Sequence, residues 1–270
     1  MRFGPVPLAE AEGAILAHSV LAGGKRLRKG AVLTAADVAW LAGQGVAEVV
    51  VARPEAGDVP EDDAAARLAA AIAPDESAGL ARSAAFTGRV NLNAVWPGIV
   101  ALDPARIHAL NRIDAAITLA TLAPFTRVTP GLLTGTVKMI SYAVPRAALD
   151  AACAVAAGAL RILPVLRHTA GLILTEVPGQ DAKLAAKGRR AVEGRLRALG
   201  IGLQAVATVP HTLPAITQAL RQSPGAILLI LTGSATSDLH DTAPQALRAA
   251  GGRVARFGMP VDPGNLLFLG

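Results

Sequence analysis

Cysteine occurs once in the 270 residues, at Cys153. A single cysteine excludes an intramolecular disulfide and any cysteine-cluster metal site. Its setting, Ala152-Cys153-Ala154-Val155, is that of a buried core thiol rather than a nucleophile. Aromatic residues make up only 3% of the chain, so Ala, Val and Leu must carry the packing. With so few rings there is almost nothing on which bases could stack, and nucleic-acid binding is disfavoured. Charged residues are also sparse, at 17%. Lysine is the scarcest of them: five lysines stand against 21 arginines, for a formal net charge of +6. Arginine suits planar, bidentate anion recognition, but a compositional bias of the genome gives the same numbers, and both explanations stay open. The basic residues are scattered, with local groups at Lys25–Lys29 and Lys187–Arg197. No apolar run reaches the ~18 residues that would suggest a membrane span. The opening Arg2-Phe3-Gly4-Pro5-Val6-Pro7 has no apolar stretch of the signal-peptide kind. A cytoplasmic protein with no membrane partner is therefore expected. The five histidines form no ligand-spaced cluster, so a protein-only zinc site is not expected. No nucleophile elbow marks a serine triad.

What the chain has is apolar content, 52%, arranged in short periodic stretches. Pro7 to Val20 has a helix-like spacing in Leu8, Ala11, Ile15 and Leu16. Gly23-Gly24 and the basic Lys25–Gly30 read as a turn or exposed loop. Thr34 and Asp37 form a capping-box pair ahead of a helix carrying Val38, Leu41 and Ala42. Val46 to Ala52 reads as a strand and Glu61 to Ala73 as an acidic-started helix. Pro74 to Gly88 is weakly patterned. Asp103-Pro104 is a cap followed by proline at the first helical position. Asp114 to Leu122 and Leu132 to Val144 read as strands, and Leu149 to Gly158 as a helix.

From Arg161 the texture changes. Gly171–Leu174, Gly202–Val209, Ala226–Leu231 and Arg253–Gly258 read as strands. Asp181–Leu199, Thr212–Gln222 and the stretch around Gln245–Ala250 read as the helices between them. The pattern is βαβαβαβ, the signature of a layered α/β domain with a mainly parallel sheet. The expected fold class is α/β: a C-terminal three-layer α/β/α domain over 161–270, a middle α+β region over 61–160, and a smaller α+β segment over 1–60.

One stretch in that last domain stands out. Ala226 to Leu231 is a continuous apolar run, read as a parallel strand buried on both faces. It empties into a polar loop, Thr232, Gly233, Ser234, Thr236, Ser237, Asp238, His240 and Asp241, before the helix marked by Pro244 and Leu247. Open α/β sheets place ligands at such points, and small residues let backbone N–H groups approach an anion beside a helix N-terminus. A solvated strand–helix turn without a ligand is the plain alternative. Asp241 reads equally as a helix N-cap, and His240 as exposed loop rather than a metal ligand.

Thr232-Gly233-Ser234-Ala235-Thr236-Ser237-Asp238-Leu239-His240-Asp241 resembles the Thr-Gly-Gly-Ala-Ser-Val-Gly-Asp-Tyr-Asp loop of molybdopterin-binding domains, those of the MoeA/gephyrin family and its MogA/MoaB-like relatives. Gly171-Leu172-Ile173-Leu174-Thr175 resembles that family's first strand and its threonine. Met259-Pro260-Val261-Asp262-Pro263-Gly264-Asn265 is similar to its Lys-Pro-Gly-Lys segment. Val6–Gly13 and Thr34–Leu41 resemble the N-terminal part of such proteins. The sequence departs from the family at several points. Ser234 replaces the second loop glycine, Leu239 stands at the catalytic-type aspartate position, and Asp262 and Asn265 replace the two lysines. Asp238 lies one residue early, and Asp241 is kept. The family also continues past the point matching Leu269-Gly270, so a truncated domain is expected.

The resemblance implies a molybdopterin or molybdenum-cofactor ligand. Its site residues would be Thr175, Thr232, Gly233, Ser234, Thr236, Ser237, Asp238, Asp241, Pro263 and Gly264, with no protein-held metal. It implies binding during cofactor biosynthesis, maturation or delivery, with a molybdoenzyme or a cytidylyltransferase-type maturation partner, and a homo-oligomer. Two alternatives stay open. One is a molybdotransferase acting on adenylylated molybdopterin with molybdate and magnesium. The other is a non-catalytic docking module. No catalytic residue is named.

Overall fold

The computed structural model describes residues 1–179 and 181–270. The chain is mixed α/β and divides into two compact units, Met1–Pro164 and Val165–Gly270.

The first unit holds two hydrophobic cores. Residues 1–53 build the smaller one. Strands Arg2–Pro7 and Ile15–Leu16 both pair antiparallel with Glu48–Arg53, which lies between them. Leu8, Leu16, Leu33, Leu41 and Val51 fill the space between this sheet and the helix Ala35–Gly43. The capping box holds as expected: Thr34 accepts from Asp37 N, and Asp37 accepts from Thr34 N. The helix expected over 7–20 does not form. Leu8–Glu10 make one 3-10 turn, and Ile15–Leu16 and Val20–Ala22 are strands. Leu8, Ala11 and Leu16 reach one core from a turn and a strand, while Ile15, next to Leu16 in that strand, is only half-buried and not part of it. Gly23 and Gly24, both with positive φ, join Val20–Ala22 to Lys25–Leu27 as a hairpin.

The larger core lies among the remaining elements of that unit. A four-stranded antiparallel sheet runs in the order Ile117–Thr121, Leu133–Met139, Arg89–Ala94, Leu80–Arg82. A three-stranded sheet has Gly98–Leu102 between Arg127–Val128 and Leu160–Pro164. Helices Glu61–Ile72, Pro104–Leu110 and Arg146–Ala156 contribute Leu68, Ile72, Leu110 and Leu149, all fully buried. Each such side chain contributes about 1.5–3 kcal/mol relative to exposure. Asp103 caps the second of these helices and Pro104 opens it, as the sequence indicates. Cys153 packs at the edge of this core, where burial pushes its thiol pKa up. The weakly patterned 74–88 supplies a 3-10 turn, Glu76–Ala78, and the strand Leu80–Arg82. Gly79 closes that turn at φ 69°, and a Cβ there would meet the Trp96 indole at 2.6 Å. Residues 161–164 belong to the strand paired with Gly98–Leu102.

The second unit is built on three parallel strands. They are β1 (Thr169–Glu176), β2 (Gly202–Pro210) and β3 (Ile227–Leu231), in the order β2-β1-β3. Helices α1 (Ala182–Ala198), α2 (Leu213–Gln222) and α3 (Thr242–Ala249) complete the alternation. Strand β1 is central and is buried from Ala170 through Thr175. Gly171 is required in it, because a Cβ would meet the Pro224 carbonyl oxygen at 2.5 Å, where the chain enters β3. Strand β3 is not buried on both faces as its apolar run suggests. It is an edge strand with largely half-buried side chains, because among the described residues no fourth strand joins the sheet. The stretch expected as that fourth strand supplies β4 (Arg256–Phe257), which pairs antiparallel with β5 (Phe268–Leu269) in a separate hairpin. Leu196 is buried in this unit's small core, and Val192 and Leu199 pack against it. Leu184, counted in the same helical stripe, is 61% exposed. Among the described residues, no helix is long and apolar enough to cross a membrane.

Candidate functional site

In the order β2-β1-β3 the chain moves one way from β1 to β2, then crosses back to β3. The strand order thus reverses between β1 and β3. Ligands of open parallel sheets bind outside the carboxyl ends of the strands at such a reversal. The residues there are Thr175 and Glu176 at the end of β1, and the loop from Thr232 that follows β3.

Thr175 is 3% exposed, and its hydroxyl joins the strand ends. Gly233 N donates to Thr175 Oγ1 at 2.8 Å, and His211 Nδ1 lies 2.8 Å from the same oxygen. His211 follows β2 directly, and its own N–H donates to the Glu176 carbonyl at 2.9 Å. In the sequence this histidine belongs to no ligand-spaced cluster. Its position one residue past a parallel strand was the signal that placed it here.

Beyond Gly233 the loop splits in two. Its second half is tied down by its own carboxylates. Asp241 caps α3, accepting from Thr242 N at 2.6 Å and from Ser237 N at 3.1 Å. These two N–H groups, Thr242 first, hold the Asp241 carboxyl pKa below its usual value. Asp238 accepts from His240 N at 2.7 Å, and Arg248 holds the Leu239 carbonyl at 3.0 Å. The first half differs. Among the described residues, the backbone N–H groups of Ser234, Ala235 and Thr236 have no partner. Ser234 and Ala235 are exposed, and Thr236 is 6% exposed.

Two depressions flank the loop. One, of about 370 Å³, is mostly apolar and is lined by Leu174, Thr175 and Thr232 together with Leu184, Lys187 and Gly188 of α1. The other, of about 620 Å³, runs beside β3 and takes in Thr232, Thr236 and Leu266–Phe268 of the C-terminal hairpin. Thr175, Thr232 and Gly233 are thus brought together, with Thr236 facing the adjoining groove. Ser234, Ser237 and Asp238 are exposed on the loop, and Asp241 lies at its foot. Pro263 and Gly264 lie in the loop between β4 and β5, where Met259 N donates to Asn265 O at 3.0 Å. They line neither depression.

Among the described residues, no group of three His, Cys, Asp or Glu side chains is placed to hold a metal ion. The donor set fits magnesium poorly, because both Asp241 oxygens and one Asp238 oxygen already accept from backbone N–H groups.

A family model described as a domain of unknown function (DUF8806) matches residues 5–53, the stretch holding the smaller N-terminal core. No curated protein matches the chain. Among solved structures, the chain is similar to the crystal structure of a molybdopterin biosynthesis MoeA protein from Pyrococcus horikosii. The identity is 11% and the TM-score 0.29, over 99% of this chain and 66% of that one. At that score the fold rests on the chain's own strand order.

Proposed function

We propose that the second unit binds molybdopterin, or finished molybdenum cofactor, and hands it on without transforming it. One observation carries this reading. Gly233 is fixed to a buried threonine at the point where the strand order reverses, and the three amides that follow it are left open. Unpaired N–H groups on small residues suit a terminal phosphate. In this reading Asp238, which keeps one carboxylate oxygen uncommitted, accepts from a pterin amine. Pro263 and Gly264 lie outside both depressions, and it is Leu266 and Leu267 of their hairpin that share a groove with Thr236. Right-handed crossovers would set α1 on one face of the sheet and α2 on the other, giving three layers. Binding is favoured over turnover because Asp241 serves the backbone of its own loop. A molybdoenzyme, or a maturation partner, would receive the ligand.

The test is Ser234→Trp. Ser234 is exposed, and surface substitutions usually change stability by no more than about 0.5 kcal/mol. An indole over the open amides should abolish molybdopterin binding followed by fluorescence, with thermal stability nearly unchanged. Normal binding by this variant would remove the ligand from the loop. Conversion of adenylylated molybdopterin by the purified chain, given molybdate and magnesium, would overturn the binding-only reading.

A further inference from the structure

All three parallel strands end on one polar junction, and its proton arrangement can be worked out. Thr175 Oγ1 has two close neighbours, Gly233 N and His211 Nδ1, each at 2.8 Å. A threonine hydroxyl has one hydrogen to give and two lone pairs to accept with. An amide can only donate, so Gly233 N–H takes one lone pair. Among the described residues the hydroxyl hydrogen has an acceptor only in a bare His211 Nδ1, the tautomer protonated on Nε2; an Nδ1–H would donate to the second lone pair and leave the buried hydroxyl hydrogen unpaired, at a cost. Among the described residues, Nε2 has no hydrogen-bond partner, and the residue is only half-buried. The ring is held from behind as well, since its backbone N–H is bonded to Glu176 O.

We propose that His211 is the positioning residue of this site. Its Nδ1 turns the Thr175 hydroxyl so that it accepts from Gly233, and this sets where the loop begins. Its Nε2–H is then a donor offered to an oxyanion resting on the amides of Ser234, Ala235 and Thr236. The second half of this proposal depends on the loop being a ligand site; the first half does not. The open amides and the Nε2–H are donors, so an acceptor-rich ligand edge such as a phosphate is the chemistry they take. Of the carboxylates nearby, Asp241 is engaged through both oxygens by Thr242 and Ser237, whereas Asp238 keeps one oxygen free beside the one that accepts from His240 N.

Two measurements on the full chain test it. Nitrogen-15 NMR of the ligand-free protein should show His211 with a bare Nδ1 and a protonated Nε2. A proton on Nδ1, or rapid averaging of the two nitrogens, would overturn the orientation of Thr175. Orthophosphate is then titrated into the wild type, His211→Asn and His211→Ala, following the amide signals of residues 233–236. Asparagine keeps an acceptor where Nδ1 stood but has no donor at the Nε2 position. His211→Asn should therefore leave the free Gly233 signal in place while weakening phosphate about tenfold, the size of one hydrogen bond to a charged group. His211→Ala should shift Gly233 and weaken phosphate at least as much. Equal phosphate affinity in His211→Asn would overturn the donor role, and an unmoved Gly233 signal in His211→Ala would overturn the positioning role. A wild type that binds no phosphate would sink the donor role and the ligand site together, while the tautomer would still decide the rest.

Discussion

Thr175→Val is the sharpest probe of the second unit, because it changes one hydroxyl into a methyl group of nearly the same size. The residue is 3% exposed, so the new methyl group stays in the space the hydroxyl filled. What changes is hydrogen bonding: Gly233 N–H loses its acceptor and His211 Nδ1 loses its donor. An unsatisfied buried polar group costs about 1–3 kcal/mol. Gly233 and His211 are only half-buried, so water can reach them and the low end applies to each. Burying a methyl group in place of the hydroxyl returns up to about 0.8 kcal/mol. The net expectation is a loss of roughly 1–2 kcal/mol. Urea unfolding should be followed by far-ultraviolet circular dichroism. Intrinsic fluorescence is unsuitable, because Trp40, Trp96 and Tyr142 all lie in the first unit. Amide exchange at Gly233 should quicken in the same variant, and Thr175→Ser should retain slow exchange. A Thr175→Val chain as stable as the wild type, with Gly233 exchange unchanged, would refute the junction as a structural tie.

Two further outcomes are expected. Asp241→Ala should lose about 0.5–2 kcal/mol, the usual range for a helix N-cap, measured by the same urea unfolding. Backbone N–H groups hold the Asp241 carboxyl below its usual value, so its contribution is full above the unfolded value of about 4 and is lost as pH falls through the lower folded value. The variant should therefore lose less stability than the wild type on acidification below about pH 4, and identical acid curves would count against the cap. Glu61 has the opposite sign. Burial pushes its carboxyl up despite Lys138 at 3.9 Å, so the fold prefers the protonated form and ionisation weakens it as pH rises. Glu61→Gln should keep or raise the melting temperature at pH 7, and a clear drop would show that the ion pair outweighs burial.

Local chemistry was legible in the sequence where a motif closes within a few residues. The Thr34–Asp37 capping box, the Asp103-Pro104 helix start and the Asp241 cap all stand as their residue types indicate. What depends on partners distant in sequence was not legible. The apolar run Ala226–Leu231 reads the same whether a strand is central or at an edge, and only the strand order shows that one side of β3 is open. Arg253–Gly258 reads as one more strand of the series, yet its pairing partner is a two-residue strand at Phe268–Leu269. The spacing of Leu8, Ala11, Ile15 and Leu16 is helical, but two of these residues pair with Glu48–Arg53. His211 stands just past a strand, but its partner, Thr175, lies 36 positions away, and no local motif links the two.

The division of labour within the loop bears on where a ligand's charge can rest. A helix N-terminus is the obvious seat for an anion. Here that seat is taken: Asp241 already accepts from Thr242 at the start of α3 and from Ser237 before it. A phosphate placed there would meet a carboxylate whose depressed pKa keeps it charged near neutrality. The open donors lie earlier in the loop, on Ser234 to Thr236, just after the Gly233 that is tied to Thr175 at the end of β1. An anionic group should therefore rest against the strand ends rather than on the axis of α3. Removing the Asp241 carboxylate would vacate the helix terminus and offer a second seat. Asp241→Ala should then bind phosphate as well as or better than the wild type while being less stable. A variant that loses stability and phosphate affinity in proportion would instead place the ligand on the α3 terminus with Asp241 as its support.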